Sequence, residues 1–193
     1  MAPVKKPATY EDVLAAPEHT VAEIVSGDLI VSPRPRPRHA HAAGMLFGDL
    51  SGSYGFKGGG PGGWWIFFEP ELHLGNDVLV PDLAGYRTER MSALPDEAWF
   101  SLVPDWICEV LSPGTGRLDR TRKLPIYARH GVNWAWLVDP NERTLEVLRS
   151  DDQLWTVIAV HGDDDLVRAE PFPALEIDLL ALWGERRKPA EPG

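Results

Sequence analysis

Two strand-length apolar runs each carry a carboxylate near the centre, and that pair restricts the fold more than any other feature of the chain. One run is Val78-Leu79-Val80-Pro81-Asp82-Leu83-Ala84; the other is Trp106-Ile107-Cys108-Glu109-Val110-Leu111. Runs this short and this apolar suit strands buried inside a sheet. An acid there is expensive unless it is paired, hydrogen-bonded or bound to a metal. Two such acids on two core strands have one shared explanation, a common divalent cation, and oxygen ligands suit Mg²⁺ or Mn²⁺. The structural alternatives are simple: Asp82 could cap a turn, and Glu109 could pair with an arginine.

The rest of the chain is punctuated by proline and glycine. A short helix is predicted from Thr9 or Tyr10 to about Ala16. A hairpin follows, Thr20 to Ile24 with Leu29 to Ser32, around the turn cluster Ser26-Gly27-Asp28. Pro33, Pro35 and Pro37 predict an extended connector. His39 to Leu50 has helical spacing, with Ala43, Leu46, Phe47 and Leu50 on one face. Gly55 to Gly63 reads as a flexible linker, because it lacks the Gly-Lys-Ser/Thr ending of a phosphate loop. Trp64 to Leu74 and Val78 to Tyr86 are predicted as long strands, and Arg117 to His130 as a helix stopped by Gly131 and weakened by Pro125. Strands at 134–138, 144–149, 155–160 and 175–177 and a helical turn at 179–183 complete the pattern. After the opening helix the order β–β–α–β–β–β–α–β–β–β predicts an α/β (α+β) fold, a mixed sheet with helices on its faces and additional antiparallel strands.

Composition bounds the function. At 193 residues with 44% hydrophobic positions, one domain over residues 8–184 is expected, with loose termini at 1–7 and 185–193. The single Cys108 excludes an internal disulfide and a cysteine-rich zinc site. Neither a secretory h-region nor a membrane-length apolar segment is present, so a cytoplasmic protein with no membrane partner is expected. The net charge of −10 is unevenly spread: Asp139 to Asp178 holds 11 acids and 3 bases, a balance of −8. Two stretches are basic, Arg34, Arg36 and Arg38 in one, and Arg117, Arg120, Arg122, Lys123 and Arg129 in the other. Such stretches are either a phosphate-binding face or ordinary solvated surface.

Asp119, Lys123 and Tyr127 follow Glu109 at i, i+4 and i+8 of the predicted helix and share a face if Pro125 does not break it. A lysine delivered beside two metal-binding carboxylates could orient or deprotonate a water, or stabilise charge developing on phosphorus. The bland alternative is a helix-surface ion pair of Asp119 with Lys123, worth about 0.3–0.5 kcal/mol.

Taken together, these motifs carry a resemblance. Val80-Pro81-Asp82, Glu109-Val110-Leu111-Ser112-Pro113, Asp119-Arg120 with Lys123 and Tyr127, and Gly131 through Pro140 resemble the Uma-type putative restriction endonuclease family of the PD-(D/E)XK nuclease superfamily. The opening Ala22 to Leu29 and Ser32-Pro33 through His39 resemble it too, so the likeness spans about residues 8 to 180. It implies a restriction-endonuclease-like core, with Asp82 as the first acid, Glu109 as the second and the Val110 carbonyl completing the metal site. The superfamily lysine stands two residues after the second acid, where this chain has Leu111. The resemblance implies that Lys123 is recruited from the next helix instead. It also places Glu23 near the metal. Glu69 is a further candidate, on a predicted strand where Glu69, Glu71 and His73 share a face.

The reading that follows is a Mg²⁺- or Mn²⁺-dependent endonuclease acting on DNA. Asp82, Glu109 and Lys123 would be catalytic, Asp119 and Tyr127 would orient the lysine, and Arg34, Arg36, Arg38, His39, Arg120 and Arg122 would meet nucleic acid. A homodimer would supply two sites for double-strand cleavage. The rival is an inactive nuclease-fold module that binds DNA or protein.

Overall fold

The computed structural model describes residues 6–55 and 60–187. The expected loose segments at residues 1–5 and 188–193, and positions 56–59 of the expected glycine linker, lie outside the described residues.

Helix α1 (Tyr10–Leu14) leads into the hairpin β1 (Thr20–Val25) and β2 (Asp28–Pro33), whose register pairs Val25 with Asp28 across the tight turn. Helix α2 then runs Pro37–Tyr54. It starts earlier than the triple proline suggests, because Pro37 sits in the first turn, where a missing N–H costs nothing.

The two long strands predicted at 64–74 and 78–86 are each broken in two, and each half joins a different sheet. β3 (Trp64–Phe68) ends before Pro70, and β4 (Leu72–Leu74) resumes beyond it. β5 (Asp77–Leu79) ends before Pro81, and β6 (Leu83–Arg87) resumes after Asp82. Proline cannot donate to a ladder, so it forces the chain to change partners. β4 and β5 form a hairpin that joins β1, giving an antiparallel sheet in the order β2-β1-β5-β4. β3 pairs with β6 in the second sheet.

β7 (Trp106–Val110) is the centre of that second sheet. After it come α3 (Gly116–Leu118), a π-helical turn (Asp119–Lys123) and α4 (Leu124–His130), which ends on Gly131 at φ 91°. β8 (Trp134–Asp139), β9 (Thr144–Asp151) and β10 (Leu154–Gly162) complete the order β10-β9-β8-β7-β6-β3. Only β7 and β8 pair in parallel within this sheet. β11 (Leu166–Val167), β12 (Ile177–Asp178) and α5 (Leu179–Leu182) follow.

The period of two along β7 sorts its side chains between two cores. Trp106, Cys108 and Val110 pack with Leu46 and Leu50 of α2 and with Trp136 and Phe172. Ile107 packs on the other face, with Ile126 and Tyr127 of α4 and with Leu72 and Leu79 of the antiparallel sheet. Glu109, two residues after Ile107, therefore points towards α4. Close approach also governs Gly85 on β6, where a Cβ would meet the Trp106 and Trp64 rings at 3.1 and 3.2 Å.

Candidate active site

The breaks that divide the sheets also assemble a site. Pro81 ends pairing just before Asp82, so this acid stands at the start of β6 rather than mid-strand. Its Oδ2 accepts a hydrogen bond from the Val110 N–H at 2.7 Å. Glu109 is 3% exposed, and its Oε1 accepts from the Tyr127 hydroxyl at 2.8 Å.

Lys123 closes the arrangement. Its Nζ lies 2.9 Å from Glu109 Oε1, 2.9 Å from Glu23 Oε1 and 3.7 Å from Asp119 Oδ1. All four groups are buried. Glu23, on β1, also accepts the Val80 N–H at 2.8 Å, which fixes it against the Val80-Pro81-Asp82 turn.

The π-helical turn explains how Asp119, Lys123 and Tyr127 reach one place. Eight residues of regular α-helix drift by about 80° from a whole number of turns. The Leu124 N–H bonds to the Asp119 carbonyl, an i→i+5 link that puts more residues into that turn and takes the drift back. Pro125, which cannot donate to the carbonyl four residues earlier, favours this winding rather than ending the helix.

The electrostatics follow from burial and crowding. Burial pushes the Glu109 carboxyl well above its ordinary range, and Asp119, Asp82 and Glu23 add to this against the pull of Lys123. Asp119 is raised to about 6, again chiefly by burial. Burial alone would lower the Lys123 pKa, but Glu109 and Glu23 outweigh it, with help from Tyr127 and Asp119, and hold the ammonium charged. Burial pushes the Tyr127 phenol upward as well.

Glu23, Asp82, Glu109, Asp119 and Lys123 line a cavity of about 460 Å³. Val21, Ile30 and Leu118 give it an apolar wall, and Arg34, Arg36, His39 and Glu69 also line it. His39 Nε2 is 3.3 Å from Asp82 Oδ1. Burial draws the imidazole pKa down, but Asp82, the Val110 backbone and Asp119 together leave it raised. Arg34 pairs with Glu69 at 3.2 Å. Glu69 has φ 45°, a left-handed conformation uncommon for a side-chain-bearing residue, in the link between β3 and β4.

Not every predicted site residue converges. Glu69, Glu71 and His73 do not share one strand, because the chain turns at Pro70; Glu71 bonds Tyr10 and His73 instead. Arg38, Arg120 and Arg122 do not line the cavity. Arg120 is engaged by Glu146 on β9, and Arg122 by Asp28 and the Val25 carbonyl of the hairpin. Thr115, which bonds the Asp119 carboxylate and lines the cavity, is missed by the sequence reading. Its position four residues before Asp119 is the signal that points to it.

Among the described residues, no three His, Cys, Asp or Glu side chains converge to hold a metal as they stand. Three carboxylates converge on the Lys123 ammonium instead. The donor chemistry still fits a hard cation: Glu23, Asp82, Glu109 and Asp119 line one cavity with a single lysine, so negatively charged oxygen donors outnumber the positive charge there.

The protein is thus a mixed sheet flanked by helices, with acids and a lysine gathered where its strands break. The same fold occurs in a crystal structure described as a putative nuclease belonging to DUF820 from Anabaena variabilis. That likeness has a TM-score of 0.74 at 24% identity and covers 92% of this chain and 98% of that one. The model of the Uma2 family, described as putative restriction endonuclease, matches residues 7–181, and the chain belongs to that family. A search of curated proteins finds no match. Among the described residues, no helix is long and apolar enough to cross a membrane.

Proposed function

We propose that this chain is a divalent-metal-dependent DNA endonuclease whose catalytic groups are Asp82, Glu109 and Lys123, carried by one domain over residues 8–184. The observation that carries the reading is the buried Lys123 ammonium, 2.9 Å from both Glu109 and Glu23 and beside a cavity that also takes in Asp82.

Asp82, Glu109 and the Val110 carbonyl would hold Mg²⁺ or Mn²⁺. Such an ion supplies Lewis acidity and lowers the pKa of a bound water. Oε1 of Glu109 is engaged by Lys123 and Tyr127, so the share of a cation falls to Oε2.

Of the roles open to Lys123, electrostatic stabilisation fits best. An ammonium held charged by two carboxylates makes a poor base, yet it can neutralise charge developing on a phosphoryl oxygen. Tyr127 and Glu23 position it, and Asp119 adds negative potential from the same helical segment. Arg34, Arg36 and His39 line the cavity and would receive a phosphodiester backbone. Arg34 must leave Glu69 to do so. Arg38, Arg120 and Arg122 could extend the contact outside the cavity, and cleavage of both strands would take two copies related by a two-fold axis.

The test is cleavage of supercoiled plasmid at low salt with Mg²⁺ or Mn²⁺, comparing the wild type with Asp82→Ala and Lys123→Ala, each checked for folding by circular dichroism. Nicking by the wild type alone is expected. Intact plasmid in the presence of folded, metal-loaded wild type would favour the non-catalytic binding module instead.

A further inference from the structure

We infer that the Lys123 ammonium fills the position a second divalent cation would occupy, so that the protein works with one ion rather than two. The inference rests on the reading of Asp82 and Glu109 as the metal pair and adds the number of ions that pair can be joined by.

The geometry around Nζ is that of a cation site. Three carboxylates from three separate elements surround it: Glu23 of β1 at 2.9 Å, Glu109 of β7 at 2.9 Å and Asp119 of the π-helical turn at 3.7 Å. Each is 5% exposed or less, and Lys123 is 3% exposed. An N–H···O contact of 2.9 Å is what an ammonium needs where a small divalent ion would draw the same oxygens in to about 2.1 Å. Glu109 also has the place of a bridging ligand: its Oε1 is committed to the ammonium, which leaves its other oxygen for the ion shared with Asp82. In two-metal sites a carboxylate in this place spans two ions about 3.5–4 Å apart.

The charge balance is compatible with one ion beside the ammonium. Fully ionised, Glu23, Asp82, Glu109 and Asp119 carry four negative charges, and Lys123 returns one. A single divalent ion brings the cluster close to neutral. A second could enter only by evicting a buried ammonium whose anionic partners are these same acids, a costly exchange in a low-dielectric setting. Glu23 is also held in place by the Val80 N–H. Its role is therefore to seat the lysine and not to bind the catalytic ion.

The experiment is Mn²⁺ titration by calorimetry, with electron paramagnetic resonance to detect spin-coupled ions, on the full chain. Wild type should bind one uncoupled Mn²⁺. Lys123→Met, which removes the ammonium but keeps the bulk, should bind two that couple, and adding Glu23→Gln to it should return the count to one. Glu23→Gln alone should still bind one ion.

Two coupled ions in the wild type would overturn the inference while leaving the metal-dependent reading intact. So would a single ion in folded Lys123→Met, or loss of binding in folded Glu23→Gln. If Lys123→Met does not fold, the wild-type count and the Glu23→Gln result decide. No Mn²⁺ bound to folded wild type is a separate outcome: it would sink the metal reading under which the inference stands, and the inference with it.

Discussion

Replacing Asp119 by asparagine should stabilise the metal-free protein at neutral pH and leave it almost unchanged in acid. The carboxyl is 4% exposed, and its pKa in the fold is about 6 against an ordinary 3.8. Between these values the folded protein keeps a proton that the unfolded chain has released. Stability falls with rising pH wherever the folded state binds more protons. The cost of ionising Asp119 is therefore absent below about pH 4, accumulates through pH 4–6 and is complete at pH 7. At 1.36 kcal/mol per pH unit it reaches about 3 kcal/mol at most.

Asparagine keeps the shape without the charge, so Asp119→Asn should gain up to that amount at pH 7. For a chain of 193 residues, at roughly 2–4 °C per kcal/mol, the gain corresponds to a rise in Tm of up to about 6–12 °C. That amount is already net of the attraction to Lys123, and the dependence on pH is its sharpest readout. Thermal melts in EDTA from pH 4 to 7, wild type against Asp119→Asn, should show curves that meet at the acid end and diverge towards neutrality. A constant offset across the range, or a variant less stable at pH 7 than at pH 4 relative to wild type, would refute the assignment of Asp119 as a carboxylate held at a cost. A residue that lowers stability where it stands is one that function accounts for better than packing does.

Three further changes separate support of the site from its chemistry. Tyr127→Phe removes the buried donor to Glu109 and should cost about 1.5–3 kcal/mol in urea denaturation, as expected for a hydrogen bond to a charged group; an unchanged midpoint would show that Glu109 does not depend on it. Arg34→Ala should weaken DNA binding and reduce the slope of log K against log salt by about 0.9, the loss of one phosphate contact, and an unaltered slope would remove Arg34 from the interface. Gly85→Ala forces a methyl against Trp106, Trp64 and Ile66 at 3.1–3.3 Å and should lower stability by about 1–3 kcal/mol without altering metal affinity, as melts and calorimetry together can show.

The residues of the site were more legible in the sequence than the strands that hold them. Glu109 stands out because a carboxylate amid Trp106, Ile107, Cys108 and Val110 has no cheap explanation, and the structure buries it at the centre of the second sheet. Asp82 stands out for the same reason, but its setting differs. Apolar residues on both sides made 78–86 look like one strand, whereas Pro81 sends Asp77–Leu79 to one sheet and Leu83–Arg87 to the other. Periodicity cannot reveal such a change of partner, since both halves stay buried; only the loss of the proline donor hints at it. The arginines were the least legible. Whether a guanidinium faces a ligand or a neighbouring acid depends on where Glu146 and Asp28 come to lie, which is a matter of long-range pairing.

Lysine placement ties these threads together. Leu111, two residues beyond Glu109, would be the usual superfamily position for it, but β7 ends at Val110 and the Leu111 side chain is buried in the core beneath α4. A charge there would be buried among the apolar residues of that core. The π-helical turn offers the alternative. It carries Lys123 into the site from a helical segment whose flanking apolar residues, Leu124 and Ile126, still reach the same core. The core keeps its leucine and the acids keep their cation, and Pro125, the residue that makes the helix look doubtful in the sequence, favours the winding that brings Lys123 to Glu23 and Glu109.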